Sequence, residues 1–113
     1  MSIAVRMKWE PVRELGFLMT GAGYSPVGIP VSHPLRGFIF QNFLDTAIMV
    51  SFDGVNDHIP MVPNGYINED IAANKTISQG FYLPEGQQIY IKHVGVAPVS
   101  GSFWFSAMYG ADI

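Results

Sequence analysis

The sequence predicts an all-β protein, namely an antiparallel two-sheet sandwich, jelly-roll-like, with eight to nine short strands. Three observations support this prediction. Twelve glycines and eight prolines punctuate the chain, and short runs rich in Ile, Val, Phe and Tyr lie between them. No window of a dozen residues keeps a helical period without a Gly or Pro inside it. Such closely spaced turn signals are typical of sandwiches and small barrels.

The N-terminal part contains three predicted strands. Residues 12–19, VRELGFLM, form the first one. Residues 24–31 are extended but broken by Pro26 and Pro30, which suits a sheet edge because Pro donates no backbone hydrogen bond. Residues 35–43, LRGFIFQNF, form a long strand.

Strands and turns alternate through the middle of the chain. Residues 46–52, TAIMVSF, alternate well between two faces. Residues 58–62 pair back after the DGVND bend, 66–71 follow a PNG turn, and 77–83 lead into a PEG turn. This order predicts antiparallel neighbours.

The last two predicted strands show the same two-residue period. Residues 88–94, QIYIKHV, precede the glycine-rich bend VGVAPVSG. Residues 102–109, SFWFSAMY, place Phe103 and Phe105 on the face opposite Trp104. We expect one of these faces to lie in the core and the other to be free for a partner.

Residues 1–11 are predicted to be an N-terminal arm ahead of a single sandwich domain at 12–113. We see no strand alternation in this stretch, which ends at Pro11 yet carries Met7 and Trp9. A terminal arm is ordinarily polar. The arm is therefore expected to pack on a neighbouring chain.

The composition indicates a protein that contacts another protein. Only 13% of residues are charged, against ~25% in ordinary globular proteins. Hydrophobic types make up 49%, whereas nine strands need on the order of 25–30 core residues. A surface of Ser, Asn, Gln and Thr is the alternative. We expect the surplus to bind a partner, and the predicted partner-binding residues are Met7, Trp9, Met49 and Trp104.

Charge and cysteine content exclude other classes of partner. The net charge is −3, and no cluster of Lys and Arg indicates a nucleic-acid site. The first residues lack the long apolar run of a signal peptide or a membrane span. There is no cysteine, so neither disulfides nor thiol chemistry is expected.

The stretch VSFDGVND, residues 50–57, is the best candidate for a metal or catalytic loop. Asp53, Asn56 and Asp57 do not have the spacing of an EF-hand loop, and no Glu follows before Glu69. Asp-Gly between two apolar strands is a strong hairpin signal. The stretch is therefore predicted to be a connector.

Catalytic and metal-binding constellations are weak elsewhere too. His33, His58 and His93 form no paired motif of the kind that zinc requires. There is no Gly-x-Ser-x-Gly elbow, and the paired carboxylates Glu69 and Asp70 point to opposite faces of a strand. We predict no cofactor, no metal and no enzyme activity. Exposed Trp and Tyr leave sugar binding as a rival to a protein interface.

Three segments carry a resemblance to a known family: SFDGVNDHIPMVPNG, NKTISQGFYLPEGQQIYIKHV and APVSGSFWFSAMYG. Over about residues 12–110 the chain resembles small virion proteins of short-tailed bacteriophages, in particular the capsid decoration or staple protein of epsilon15-like phages. The resemblance implies a jelly-roll-like sandwich that binds the outer shell and bridges major capsid subunits without catalysis. It also implies a virion location after synthesis in the host cytoplasm. A head–tail adaptor or a tail component is the alternative, and self-association is expected.

Overall fold

The computed structural model describes residues 5–70 and 83–112, and the all-β prediction is confirmed. Nine strands and one 3-10 helix, Phe17–Met19, lie in this part of the chain. No helix among these residues is long and apolar enough to cross a membrane. The strands are β1 Val5–Trp9, β2 Arg13–Gly16, β3 Ser25–Pro26, β4 Gly37–Asn42, β5 Ile48–Ser51, β6 Ile59–Met61, β7 Tyr66–Asp70, β8 Tyr90–His93 and β9 Ser102–Asp112.

The strands form two antiparallel sheets. In the five-stranded sheet β1 and β2 lie one after the other along one side of β9, and β4 and then β7 follow on its other side. The four-stranded sheet has the order β3-β8-β5-β6. Apart from the β1–β2 junction and the β5–β6 hairpin, successive strands alternate between the sheets. With β1 set aside, this is the double Greek key of a jelly roll.

The core lies between the two sheets. It is dominated by phenylalanines, with ring centroids 4.8 Å apart for Phe38 and Phe40 and 5.4 Å apart for Phe40 and Phe105. The buried apolar side chains are Val27, Val31, Leu35, Phe38, Phe40, Leu44, Ile48, Val50, Met61, Ile89, Ile91, Phe103, Phe105 and Ala107. Those that lie on β4 and β9 alternate with less buried residues, as a half-buried sheet requires.

Two of the predicted strands are shorter than expected, for local reasons. The strand predicted at 12–19 ends at Gly16, and the 3-10 helix follows. Of 24–31 only Ser25–Pro26 pairs, since prolines and Gly28 interrupt the rest. The strand predicted at 77–83 lies outside the described residues except for Leu83, which bridges Leu35.

Residues 1–11 were predicted to be an arm without a strand, and this prediction was wrong. Val5–Trp9 pairs antiparallel with β9, and Trp9 stands opposite Met108. The sequence of this segment does alternate, because Arg6 and Lys8 separate Val5, Met7 and Trp9. The alternation in residues 5–9 therefore predicts a strand with charged residues on one face and apolar residues on the other.

Four connections meet at one end of the sandwich, which we call the loop end. They are residues 17–24, 43–47, 62–65 and 94–101. Hydrogen bonds join them to each other and to the strand ends, including Phe17 N–H to the Gly101 carbonyl at 3.1 Å and Val94 N–H to the Ala47 carbonyl at 3.0 Å. The side chain of buried Asn42 ties two of the loops together by donating to the Thr46 and Val62 carbonyls. The loop end is thus held largely by backbone groups.

Candidate functional site

The stretch at 50–57 contains the end of β5 and most of the β5–β6 connector, so its prediction as a connector is confirmed for residues 52–57. The Asp53 carboxylate accepts hydrogen bonds from the N–H groups of Val55 and Asn56, both at 2.8 Å, and from the Ser51 hydroxyl at 2.9 Å. These donors, first of all the Asn56 N–H, hold the pKa of Asp53 well below its usual range. Because its oxygens are occupied by the turn itself, this carboxylate stabilises a loop.

The three histidines lie in separate environments. His58 Nδ1 accepts the Phe52 N–H at 3.0 Å, and the His33 ring stacks on Tyr109 with 3.6 Å between centroids. His93 lies on β8. Within residues 5–70 and 83–112, no group of three or more His, Cys, Asp or Glu side chains is arranged to hold a metal ion.

A buried charged cluster lies at the end of the sandwich opposite the loop end. The Glu10 carboxylate is 1% exposed and lies 2.8 Å from Arg13 Nη2 and 2.8 Å from His33 Nδ1. It also accepts the Ser32 N–H. Arg13 donates in addition to the carbonyls of Pro11, Ile29 and Pro30. The cluster thereby fastens the β3–β4 connection to the β1–β2 junction.

The ionisation of Glu10 follows from these contacts. Burial alone would raise the pKa of its carboxyl, because the charged form loses hydration. The hydrogen bonds from His33 and Ser32, together with the Arg13 charge, outweigh burial and hold the pKa below its usual value. Glu10 is therefore a structural anion with its donors in place, and it makes an unsuitable general acid.

A smaller group of polar side chains lies on the solvent-facing side of the four-stranded sheet. Lys92 Nζ lies 3.2 Å from an Asp57 oxygen and 4.6 Å from the centre of the Tyr24 ring. Tyr24 donates its hydroxyl to the same carboxylate. Burial and the Asp57 carboxylate raise the pKa of Tyr24 to about 12. A phenol with so high a pKa stays protonated and is a poor base or nucleophile at neutral pH.

The most extensive candidate site is the outer face of the five-stranded sheet. Along β9, Phe103, Phe105 and Ala107 are buried, so Trp104 and Met108 point away from the core. Residues paired across neighbouring strands share a face. We call this surface the outer face, and its apolar residues are Met7, Trp9, Ile39, Phe43, Tyr66, Trp104 and Met108.

The exposure of the outer face is high for side chains of this size. Met7, Trp9 and Phe43 are 49%, 54% and 51% exposed, and Tyr66 is 74% exposed. Ile39, Trp104 and Met108 are half-buried. The apolar side chains share this face with the polar Gln41, Asn68 and Ser106. So many large exposed apolar groups on one sheet face are typical of an interaction site.

Charge is sparse on the outer face. The described acidic side chain there is Glu14, opposite Trp104, and its carboxylate accepts the Ser102 hydroxyl at 2.7 Å. Lys8 lies opposite Tyr109, on the other side of the β1–β9 ribbon. The arrangement therefore offers aromatic and apolar contact area with little charge to desolvate.

The structure brings three of the four predicted partner-binding residues together. Met7, Trp9 and Trp104 share the outer face. Met49 does not join them, because it lies on the other sheet between Pro60 and Lys92. The strand period of 46–52 correctly turned Met49 away from the core, but no local pattern revealed which sheet would carry it.

Sequence reasoning missed the apolar side chains of the loop end. Leu18 and Met19 are 84% and 69% exposed, and Val96 and Val99 are 75% and 73% exposed. The glycine-rich segment 94–101 was interpreted only as a bend. A usable signal was present, since three valines in a loop rich in Gly and Pro have no strand partner to pack against.

The comparisons with known proteins identify no relative. No family model, no curated protein and no solved structure matches the chain.

Proposed function

We propose that this chain is a non-enzymatic structural protein of a bacteriophage virion, in the first place a capsid decoration protein that binds the outer shell and bridges major capsid subunits. The observation that carries the proposal is the outer face, where Trp9, Phe43 and Tyr66 are at least half-exposed. The strand-and-turn resemblance to virion proteins supplies the class of partner. The sparse charge of the chain supports the same reading.

The mechanism is contact area added across a seam of the shell. A specific interface buries about 1,000 Å² or more in total, and aromatic side chains supply ~150–250 Å² each when fully buried. Trp9, Tyr66 and Trp104, spread over three strands of one sheet, would act as rigid anchors. Many copies on one lattice add their effects through multivalency.

Quantitative mass spectrometry of purified phage particles tests the proposal. Copy numbers on the order of hundreds, matching the lattice, would support decoration. About six or twelve copies, as in a ring closed by rotational symmetry, would instead support a head–tail adaptor or a tail component. A chain missing from the particles would refute a virion role.

Variants of the outer face test which surface binds. Trp9→Ser and Tyr66→Ser are each expected to weaken rebinding to stripped particles about 30-fold, the effect of a hot-spot residue. Val55→Ser is the matched control, because Val55 is 79% exposed on the β5–β6 connector, away from the outer face. Equal rebinding by all three variants would exclude the outer face as the contact.

A carbohydrate-binding sandwich is the second candidate, favoured by the aromatic rings of Trp9, Tyr66 and Trp104 on one face. Aromatic faces stack on sugars as readily as they anchor proteins. Specific binding on a glycan array, abolished by Trp104→Ala, would support it. In that case rebinding to particles without surface glycan would fail for the unmodified chain.

A further inference from the structure

The loop end carries a second apolar surface, which adjoins the outer face at Phe43. Leu18 and Met19 protrude from the 3-10 helix, at 84% and 69% exposure. Val62, Val96 and Val99 are 67–75% exposed on the neighbouring loops. Next to them lies an open groove of about 460 Å³, lined mainly by Ala47, Pro63, Val94, Val96, Ala97 and Val99, with Asp45 and Thr46 as its polar members.

The surface is nearly free of charge. The four loops at this end, 17–24, 43–47, 62–65 and 94–101, contain a single charged residue, Asp45. The Asp45 carboxylate accepts the Val99 N–H at 3.0 Å, so it is already engaged within the loops. Of a net charge of −3, each copy would bring one carboxylate of these loops to the contact, that of Asp45 in the groove lining, so the direct repulsion is limited to this pair.

We propose that the loop end is a self-association surface, at which a second copy of the chain packs about a two-fold axis. Leu18 and Met19 of each copy would enter the groove of the other. The protrusion and the groove are neighbours, because Phe17 N–H donates to the Gly101 carbonyl and His93 N–H donates to the Gly21 carbonyl. A two-fold interface needs both complementary parts side by side on each copy.

The available area suffices for such a dimer. Burying one Val, Leu or Met side chain contributes ~1.5–3 kcal/mol at ~25 cal/mol/Å², which corresponds to ~60–120 Å². Six side chains at 47–84% exposure (Leu18, Met19, Val62, Val94, Val96 and Val99) then offer on the order of 400 Å² per copy. Since interfaces are ~60% apolar, the pair would bury about 1,300 Å² in total, which exceeds the ~1,000 Å² that a specific contact requires.

A dimer through the protrusion and the groove would leave Met7, Trp9 and Trp104 of the outer face free, because these residues lie on strands β1 and β9 and not in the four loops. Backbone hydrogen bonds already join the four loops to each other and to the strand ends, so association does not require the loops to refold. Pre-ordered loops lower the entropy cost of binding. This inference goes beyond the proposed function, because it concerns a different surface and holds whether or not the chain binds a particle.

Sedimentation equilibrium of the isolated full chain, over roughly 1 to 300 µM, tests the inference. The unmodified chain is expected to form a dimer that dissociates on dilution. Leu18→Asp and Val96→Asp each place a carboxylate in the apolar contact and are expected to raise the dimer Kd at least 30-fold. Val55→Asp, at a site 79% exposed on the opposite end, should leave the Kd unchanged. Circular dichroism checks that each variant keeps its fold.

Cross-linking tests the reciprocal geometry, since the chain has no cysteine of its own. Mixed L18C and A97C chains are expected to form an inter-chain disulfide under mild oxidation, whereas L18C mixed with V55C should not. A monomer at every concentration, or a dimer that neither aspartate variant weakens, would overturn the inference. Neither result would change the outcome expected for the particle-rebinding test of Trp9 and Tyr66.

Discussion

The two ends of the sandwich hold their loops by different chemistry. At the loop end, backbone groups pair with one another, as Asp45 N–H does with the Ser100 carbonyl and Phe43 N–H with the Ser102 carbonyl. At the opposite end, the charged side chains of Glu10 and Arg13 bind the backbone of the β3–β4 connection. Loops that are joined by backbone hydrogen bonds can keep their side chains exposed to solvent. Loops that are held by charged side chains require those side chains to be buried.

Both ends carry exposed apolar side chains, among them Val12, Ile29 and Val55 at the end opposite the loop end. Leu18, Met19, Val96 and Val99 face outward at the loop end, because the support of their loops comes mainly from backbone hydrogen bonds and from the polar side chains of Asn42 and Asp45. At the opposite end Glu10 and Arg13 are buried, and their charges must be matched there to offset lost hydration. The ends should therefore differ in what damages them: backbone crowding at one, loss of a charge at the other.

The largest effect is expected at the loop end, from Gly101→Ala. Gly101 has φ +91°, and a Cβ there would lie 1.9 Å from the Phe43 carbonyl oxygen. The change should lower the free energy of unfolding by on the order of 4 kcal/mol or prevent folding. Urea denaturation measures it.

Gly95→Ala is the matched control in the same loop. Gly95 also has positive φ, +82°, but a Cβ would meet nothing within 4 Å. Only the conformational cost of about 1–2 kcal/mol should remain. Equal losses in the two variants would show that crowding against Phe43 does not matter.

A smaller loss, of about 3 kcal/mol, is expected at the opposite end from Glu10→Gln. The variant leaves the Arg13 guanidinium, 4% exposed, without its anion. Glu14→Gln is the control, because that exposed carboxylate bonds only one hydroxyl, of Ser102, and should change stability by less than ~1 kcal/mol. If chemical denaturation gave both variants the same stability, the buried cluster would not hold this end.

The smallest expected effect is a pH dependence of stability that comes from Glu10, at the end opposite the loop end. Because the pKa of Glu10 is held below 4.5 in the folded chain, its stabilisation is complete above that pH and is lost as pH falls through the folded pKa. The difference in unfolding free energy between the unmodified chain and Glu10→Gln should therefore shrink between about pH 5 and pH 2. Asp53 and Asp57 titrate alike in both chains, so they cancel. A constant difference over this range would contradict the ionised cluster.

Sequence patterns located most strands because buried and outward-facing residues alternate with a two-residue period along a half-buried strand. Residues 35–43 and 102–109 alternate Phe with outward-facing residues, and both contain the strands that fill the core. The period failed for 24–31, where Pro and Gly leave only Ser25–Pro26 paired. It was overlooked for β1, where the long stems of Arg6 and Lys8 separate the apolar residues.

The site was only partly predictable, because its assembly depends on pairing between distant strands. Alternation sets Trp104 on an outward face, but Trp9 joins it only through pairing with β9. Likewise, the sequence around Glu10 did not predict that Ser32 and His33, more than twenty residues away, would bind its carboxylate. Local periodicity determines which way a side chain points, and topology determines its neighbours.

The central position of β9 has a consequence for the order of events in folding. This strand pairs with β1, β2 and β4, and the contact between Glu14 and Ser102 spans 88 residues of chain. Pairings so remote in sequence form slowly, because a long loop must close first. Trp9 and Trp104 can come together only after that closure. A partner that recognises both rings would thus discriminate finished molecules from incompletely folded ones, and a shell or any other assembly would gain a form of quality control.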